Sequence, residues 1–164
     1  MSRIRSDQLL LPSVFDRLLD FEPENRNETV RDRAQLLRDL KVSVRRDLEN
    51  LLNTRILIPR LPMDLVHLES SLVNYGIPDF GSTILESPNS MEAMRKKIEA
   101  AIQHFETRFQ YVRVELDIGR NTRFHRSIRF LIDGVLFAEP APEPVTFRTQ
   151  LNTIANEFRV QEAN

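Results

Sequence analysis

The clearest pattern of hydrophobic and polar positions lies between about Asp32 and Leu52. Apolar residues recur there every three or four positions: Leu37, Leu40, Val44, Leu48 and Leu51. This spacing places them on one face of a helix, with arginine and glutamate on the other faces. Because no glycine or proline interrupts the run, the pattern predicts one long amphipathic helix.

Two further segments carry the same period. The first runs from about Asp64 to Asn74 and is followed by Gly76 and Pro78, which are typical residues for the end of a helix. The second runs from about Pro88 to Phe105, where a proline at the first helical position is favourable. The sequence therefore predicts about three helices in the first two thirds of the chain.

Residues 1–31 consist of an apolar segment and, after it, a polar stretch that contains proline. The apolar residues lie at helical spacing: Leu11, Val14, Phe15 and Leu18. We interpret residues 1–31 as a docking helix with a linker, attached to a single domain of residues 32–164. The apolar face is expected to dock either on the protein's own core or on a partner.

After Phe105 the period of the pattern changes from 3.6 to 2. Apolar and polar residues alternate from Val112 to Ile118 and again from Ile128, which indicates half-buried strands. Asp133-Gly134 is a typical hairpin dipeptide and predicts a turn at that point. Further strands are expected near 145–149 and 158–160. The predicted fold class is α+β, with about three helices packed on a small, mostly antiparallel sheet formed by the C-terminal half.

Composition narrows the function classes. The 164 residues include 23 basic and 24 acidic side chains, so the chain as a whole lacks the basic excess of a nucleic-acid-binding protein. The absence of cysteine excludes disulfides, thiolate nucleophiles and thiolate metal sites. With no long apolar run and no N-terminal signal pattern, we expect one soluble, intracellular domain without a cofactor.

Few residues have the spacing of a catalytic or metal site. The three histidines, His67, His104 and His125, lie far apart, and none has a partner at metal-ligand spacing. A hydrolytic pair requires two carboxylates about 5 to 9.5 Å apart across a cleft. The best candidates are Glu106 with Glu115 or with Asp117, although the last two are expected on the polar face of a strand.

One local basic stretch remains as a candidate for nucleic-acid binding. It interleaves arginines with aromatic residues: Arg120, Arg123, Phe124, Arg126, Arg129 and Phe130. Such a pattern can bind phosphates and stack on bases. The near-zero net charge favours the other interpretation, a solvated sheet face whose arginines pair with acidic residues on neighbouring strands.

Three sequence blocks together resemble the TssE family, in both order and spacing. The blocks are Leu10-Leu-Pro-Ser-Val-Phe-Asp-Arg-Leu-Leu-Asp, Arg46-Asp-Leu-Glu-Asn-Leu-Leu-Asn-Thr-Arg and Ser71-Leu-Val-Asn-Tyr-Gly-Ile-Pro-Asp-Phe. TssE proteins are type VI secretion baseplate subunits related to a phage T4 baseplate-wedge protein once labelled lysozyme-like. The resemblance covers about residues 10–160.

The resemblance implies a non-enzymatic subunit of a bacterial baseplate, on the cytoplasmic side of the inner membrane. The implied partners are the baseplate proteins TssF, TssG and TssK and the sheath proteins TssB/TssC, whose polymerisation the subunit helps to start. No small-molecule substrate, cofactor, nucleic acid or membrane insertion is implied. The alternatives from the residues are a lysozyme-like peptidoglycan hydrolase and, less favoured, an arginine-rich nucleic-acid-binding module.

The family carries a Glu-Pro-Arg motif between its last long helix and first long strand. Here the same place reads Glu106, Thr107 and Arg108, so the charged residues match and threonine replaces proline. We predict that Glu106 and Arg108 act as a structural or partner-docking pair. For sheath assembly, the expected mechanism is addition of a partner strand to an exposed edge of the sheet.

Overall fold

Two α-helices and four β-strands make up the part of the chain that the structure, a computed structural model, describes. The described residues are 33–56, 66–68, 71–79, 88–117, 127–138 and 141–163, together with Asp16, Leu18 and Glu24. The helices are α1 (Arg33–Asn53) and α2 (Pro88–Phe105). The strands are β1 (Phe109–Leu116), β2 (Ser127–Leu136), β3 (Glu143–Asn152) and β4 (Glu157–Glu162).

The strands form one antiparallel sheet in the order β1-β2-β3-β4, so β1 and β4 are its edges. Because side chains alternate along a strand, one face of the sheet is buried and the other faces solvent. α1 packs beside β4 and α2 beside β1, and the two helices also contact each other. The expected α+β class and the antiparallel sheet in the C-terminal half are confirmed.

The core lies between the helices and the buried face of the sheet. It joins the apolar stripes of both helices to the inward residues of all four strands, and its fully buried large side chains include Leu48, Leu52, Met94, Ile98, Ile102, Phe130, Phe147 and Phe158. Three residues of the predicted α1 stripe, Val44, Leu48 and Leu51, are buried in this core, whereas Leu37 is half-buried and its neighbour Leu36 is buried. No helix among the described residues is long and apolar enough to cross a bilayer.

The helix predicted from Asp64 to Asn74 is wrong. In the described parts of that segment the chain forms two short 3₁₀ turns, Val66–Leu68 and Leu72–Asn74. Leu72 is 85% exposed and does not contribute the burial of an apolar face that stabilises a helix in a protein. It ends at Gly76, which has a φ of +118° and lies against the backbone of Thr54, so a Cβ would come within 2.5 Å of the Thr54 carbonyl oxygen. The fold therefore has two α-helices in its described part, where three were expected.

The turn predicted at Asp133-Gly134 is also wrong, because β2 runs straight through both residues. Gly134 lies opposite Val112 on β1 and beneath the Phe109 ring. A Cβ built on Gly134 would approach the ring carbons of Phe109 to 2.5 and 2.6 Å. The glycine is therefore explained by the close approach of an aromatic ring within the sheet, and not by a reversal of the chain.

Candidate functional site

Glu106 and Arg108 lie in the connector between α2 and β1 and face each other. The Arg108 guanidinium donates from Nε to Glu106 Oε1 at 2.8 Å and from Nη2 to Oε2 at 2.5 Å. Such a two-pronged contact uses the matching planar shapes of guanidinium and carboxylate. Only 7% of Glu106 is exposed, so its charge depends on Arg108 and not on water.

Arg108 also fastens the connector to α1. Its Nη2 donates to Asp47 Oδ2 at 2.6 Å, and its Nη1 donates to Ser43 Oγ at 2.8 Å. One guanidinium therefore binds two carboxylates and a hydroxyl on different parts of the chain. These contacts link the start of the sheet to the middle of the long helix.

The same polar contacts continue to the N-terminal segment through Asp16. Ser43 Oγ donates to Asp16 Oδ2 at 2.6 Å, and Arg46 Nη2 donates to Asp16 Oδ1 at 2.8 Å. Arg46 Nε donates to Asp47 Oδ1 at 3.1 Å, which closes a ring of contacts. We call this ring the Arg108 network; its members are Asp16, Ser43, Arg46, Asp47, Glu106 and Arg108.

The electrostatics of the network favour fixed charges. Burial acts to lower the pKa of Arg108, but the hydrogen bonds and charges of Glu106 and Asp47 outweigh it and raise that pKa. The pKa of Tyr75 is raised by burial and then by the negative charges of Asp47 and Glu106. The Tyr75 ring packs edge-on against Phe105 at a centroid distance of 5.2 Å. A guanidinium with a raised pKa stays charged, so the network is suited to holding segments together.

Thr107, at the position of the family proline, is exposed between two anchored neighbours. The Glu106 N–H donates to the Ile102 carbonyl at 2.9 Å, and the Phe109 N–H donates to the Glu106 carbonyl at 3.3 Å. The Arg108 N–H adds a contact to Glu106 Oε1 at 3.2 Å. These backbone and side-chain contacts hold the connector without the fixed φ that proline would supply.

The carboxylates considered for hydrolysis are not brought together. Glu106 is buried ahead of β1, whereas Glu115 lies on the solvent face of β1 and pairs with Arg113 at 3.0 Å. The strand rises about 3.3 Å per residue, so six residues from Phe109 to Glu115 separate the two sites by roughly 20 Å. This exceeds the span that a pair of hydrolytic carboxylates needs, and Asp117 lies farther along.

The basic stretch is only partly described. Arg129 is exposed on the solvent face of β2, but Phe130 is fully buried in the core and is not available to stack on a base. The other members, Arg120, Arg123, Phe124 and Arg126, lie outside the described residues, as does His125. Among the described residues no group of three or more histidine and acidic side chains could hold a metal ion.

Most of the predicted N-terminal docking face lies outside the described residues, namely Leu11, Val14 and Phe15. Leu18 is described and is 76% exposed. Near it, Asp16 is held by Ser43 and Arg46 on α1. The segment is therefore tied to the domain through a polar contact while its described leucine faces solvent.

Side chains of α1 cover the outer edge of β4, a feature that sequence reasoning missed. The odd-numbered residues of β4 pair inward with β3, so Phe158 and Val160 direct their backbone polar groups outward. Asn53 accepts from the Phe158 N–H at 2.8 Å and donates to its carbonyl at 2.9 Å. Glu49 accepts from the Val160 N–H at 3.1 Å, and Arg45 approaches the Val160 carbonyl at 3.4 Å. We call Arg45, Glu49 and Asn53 the α1 ladder.

Side chains of α2 cover the outer edge of β1 with the same arrangement. Glu99 accepts from the Val114 N–H at 2.8 Å, and Arg95 donates to the Val114 carbonyl at 2.9 Å. Gln103 reaches the Val112 carbonyl at 3.4 Å. We call Arg95, Glu99 and Gln103 the α2 ladder. Each ladder contains arginine, glutamate and an amide residue at intervals of four, which is a signal readable from the sequence.

Comparison with known protein families identifies one match. The family model described as "Baseplate wedge protein gp25" matches residues 38–141, which is more than half of the chain. The matched range contains most of the Arg108 network and the whole of both ladders. No individual curated protein matches the chain.

Proposed function

Because the chain belongs to the family of baseplate wedge protein gp25, we propose that it is the TssE subunit of a type VI secretion baseplate. In this role it is a non-enzymatic structural protein that helps to nucleate polymerisation of the contractile sheath. Its partners are the baseplate proteins TssF, TssG and TssK and the sheath proteins TssB/TssC. It works in the bacterial cytoplasm, at the inner-membrane side of the machine.

The observation that carries this proposal is the Arg108 network. The two charged positions of the TssE motif, Glu106 and Arg108, meet in a bidentate ion pair that also binds α1. All three guanidinium nitrogens of Arg108 donate hydrogen bonds to protein groups, and the acceptors are the carboxylates of Glu106 and Asp47 and the hydroxyl of Ser43. Such an arrangement supports a subunit that must keep its shape while neighbours assemble on it. It also engages the carboxylates of Glu106 and Asp47 with a guanidinium.

The N-terminal segment provides a second contact for the baseplate. Leu18 is exposed beside Asp16, which ties the segment to α1. An exposed leucine on a helix-forming stretch is suited to packing against an apolar groove on a partner. We therefore assign docking on the wedge to the face formed by Leu11, Val14, Phe15 and Leu18.

Co-purification from bacterial lysate tests the proposal. We expect the tagged full-length protein to retain TssF and TssG. A variant lacking residues 1–20 should remain folded, with a melting temperature lowered by the loss of the Asp16 contacts to Ser43 and Arg46, but should lose both partners. Arg129→Ala is the matched control, since it removes an exposed arginine outside the network. A full-length protein that brings down no baseplate protein would count against the proposed function.

Two biochemical assays address the alternatives. Purified protein should not clear a suspension of cell walls, and clearing that Glu106→Gln abolishes would establish a hydrolase instead. The protein should also leave random-sequence nucleic acid unshifted at physiological ionic strength, where phosphate-directed binding is salt-sensitive.

A further inference from the structure

Three exposed arginines lie close together on the solvent face of the sheet: Arg129 on β2, Arg148 on β3 and Arg159 on β4. Arg129 and Arg159 lie directly opposite Gln150, one on each side, and Arg148 is two residues before Gln150 on the same strand. With strands about 4.8 Å apart and alternate residues about 6.8 Å apart, the three Cα atoms form a triangle with sides of roughly 8 to 10 Å. We call Arg129, Arg148 and Arg159 the arginine triad.

The triad is not paired within the part of the chain that the structure describes. None of its three guanidiniums forms an ion pair or a hydrogen bond with a described residue, whereas Arg113 on the same face binds Glu115 at 3.0 Å. Like charges on neighbouring strands repel one another, so the triad does not stabilise the free fold. Each guanidinium keeps its capacity to bind a carboxylate from outside, with two parallel hydrogen bonds.

The other end of the same face is apolar. Tyr111 on β1 pairs with Val135 on β2, which pairs with Pro144 on β3, and Phe137 follows two residues after Val135. The Tyr111 and Phe137 side chains are 57% and 59% exposed. Aromatic residues and arginine are enriched in protein–protein interfaces, where aromatic side chains act as buried anchors. The face therefore combines an apolar end with a cationic end.

We propose that this solvent face docks a folded protein whose surface places carboxylates over the arginine triad and an apolar side chain beside Tyr111 and Phe137. The contact is made with side chains on the face of the sheet. This docking face goes beyond the proposed function, because it lies on the side of the sheet opposite to α1, where Asp16 holds the N-terminal segment. Its occupant is therefore a protein other than TssF and TssG, which we assign to that segment.

The charge pattern of the face favours a protein over a uniform polyanion. Glu115, Asp133 and Glu157 lie on the same face as the triad, so a nucleic acid or an anionic membrane laid on the arginines would also meet these carboxylates. A protein surface can place its acidic groups over the arginines alone and avoid the like-charged positions. Single-stranded nucleic acid also stacks on aromatic rings, and Tyr111 lies more than about 10 Å from the triad along and across the strands.

Cross-linking of an amine to a carboxylate tests the assignment, since the chain has only the lysines Lys41, Lys96 and Lys97. Arg148→Lys keeps the charge of the triad and introduces an amine, which a carbodiimide joins to a contacting carboxylate as an amide while the reagent becomes a urea. In bacterial lysate we expect residue 148 of the full-length protein to cross-link to aspartate or glutamate of one protein other than TssF and TssG. Arg38→Lys, at an exposed position of α1, is the matched control and should give no cross-link to that protein. The absence of a cross-link at residue 148, or a cross-link only to a second copy of this chain, would overturn the proposal.

Two triple variants, each lacking three exposed positive charges, test the charge requirement. The triad variant carries Arg129→Gln, Arg148→Gln and Arg159→Gln, and the helix variant carries Arg38→Gln, Lys96→Gln and Lys97→Gln. We expect the triad variant to retain at least about tenfold less of the cross-linked protein while keeping TssF and TssG, and the helix variant to retain all three. Equal losses in the two variants would show attraction by the net charge of the chain and would overturn the proposal.

Two phosphate-bearing probes cover the other occupants. Full-length protein should not bind random-sequence single-stranded DNA, nor equimolar vesicles of phosphatidylcholine and phosphatidylserine, at physiological ionic strength. Binding of either probe that the triad variant abolishes would assign the face to phosphate groups and overturn the protein partner. Should the triad variant unfold, the Arg148→Lys cross-link decides the assignment by itself. A cross-linked acidic partner in samples that contain no TssF or TssG would support the docking face and count against the proposed function alone.

Discussion

Removal of the Arg108 guanidinium is the most direct test of the Arg108 network. Arg108→Met keeps the aliphatic part of the side chain and deletes the contacts to Glu106, Asp47 and Ser43. The Glu106 carboxylate, 7% exposed, then keeps only the backbone N–H of residue 108 within the network. Breaking a buried ion pair from one side costs about 3–5 kcal/mol. Because the Arg108 side chain is 21% exposed, we expect the lower end, about 3 kcal/mol.

The partner variant should cost less. Glu106→Gln keeps an oxygen that accepts from the Arg108 N–H, and the guanidinium still binds Asp47 and Ser43, so we expect a loss of about 1–2 kcal/mol. The double variant should lose about 3 kcal/mol, which is less than the sum of the single losses, because the two residues interact directly. The resulting coupling energy is about 1–2 kcal/mol. Exchanging the two charges should not restore stability, since a glutamate at 108 would face Asp47.

The assay is urea unfolding followed by circular dichroism, with melting temperatures as a second readout. A loss of about 3 kcal/mol corresponds to roughly 6–12 °C in a domain of this size. Arg129→Met, at an exposed position, is the control and should change stability by less than about 0.5 kcal/mol. If Arg108→Met falls within the same limit, the claim that the network stabilises the fold is refuted. A double variant whose loss equals the sum of the single losses would refute the direct coupling of Glu106 and Arg108.

Three further predictions concern single positions in the fold. Gly134→Ala should destabilise the protein by about 1–3 kcal/mol in urea unfolding because its Cβ meets the Phe109 ring, and a smaller residue at 109 should recover part of the loss. In a Tyr111→Phe background, absorbance titration of Tyr75 should give a pKa above the ordinary value of about 10. The fold favours the neutral ring, so the stability that Tyr75 contributes is present below pH 10 and is lost as pH rises through the raised pKa. Asn53→Ala should cost about 1–3 kcal/mol and accelerate amide exchange at the outer edge of β4, whereas unchanged exchange there would contradict the role of the α1 ladder.

Periodicity predicted the elements that pack on the core and was misleading where another constraint acted. α1, α2 and the alternating strands follow the pattern because burial of one face is what stabilises them. The sequence at Asp133-Gly134 matches a hairpin signal equally well, but the decisive contact comes from Phe109, which lies far away in sequence. A local signal does not reveal that an aromatic ring from another strand requires the missing Cβ.

The candidate site shows the same division between local and distant information. Glu106 and Arg108 were singled out by resemblance to the TssE motif, and their separation of two residues made a contact plausible. Sequence reasoning did not identify Asp47 and Ser43, because they lie 61 and 65 residues from Arg108 in sequence and have the pattern of ordinary polar positions on a helix. Only the packing of α1 against the connector brings them to the guanidinium.

The two ladders share one geometry. In each, an arginine and a glutamate four residues apart on the helix bind the carbonyl and the N–H of a single edge residue, Val160 or Val114. The amide residue four positions farther along the helix reaches the strand residue two positions earlier, Phe158 or Val112. Residues eight apart on a helix are separated by about 12 Å along its axis, whereas alternate residues of a strand are separated by about 6.8 Å. The helix and strand repeats therefore do not match, and it is the reach of the arginine and glutamate side chains that lets a helix bind the backbone of an edge strand.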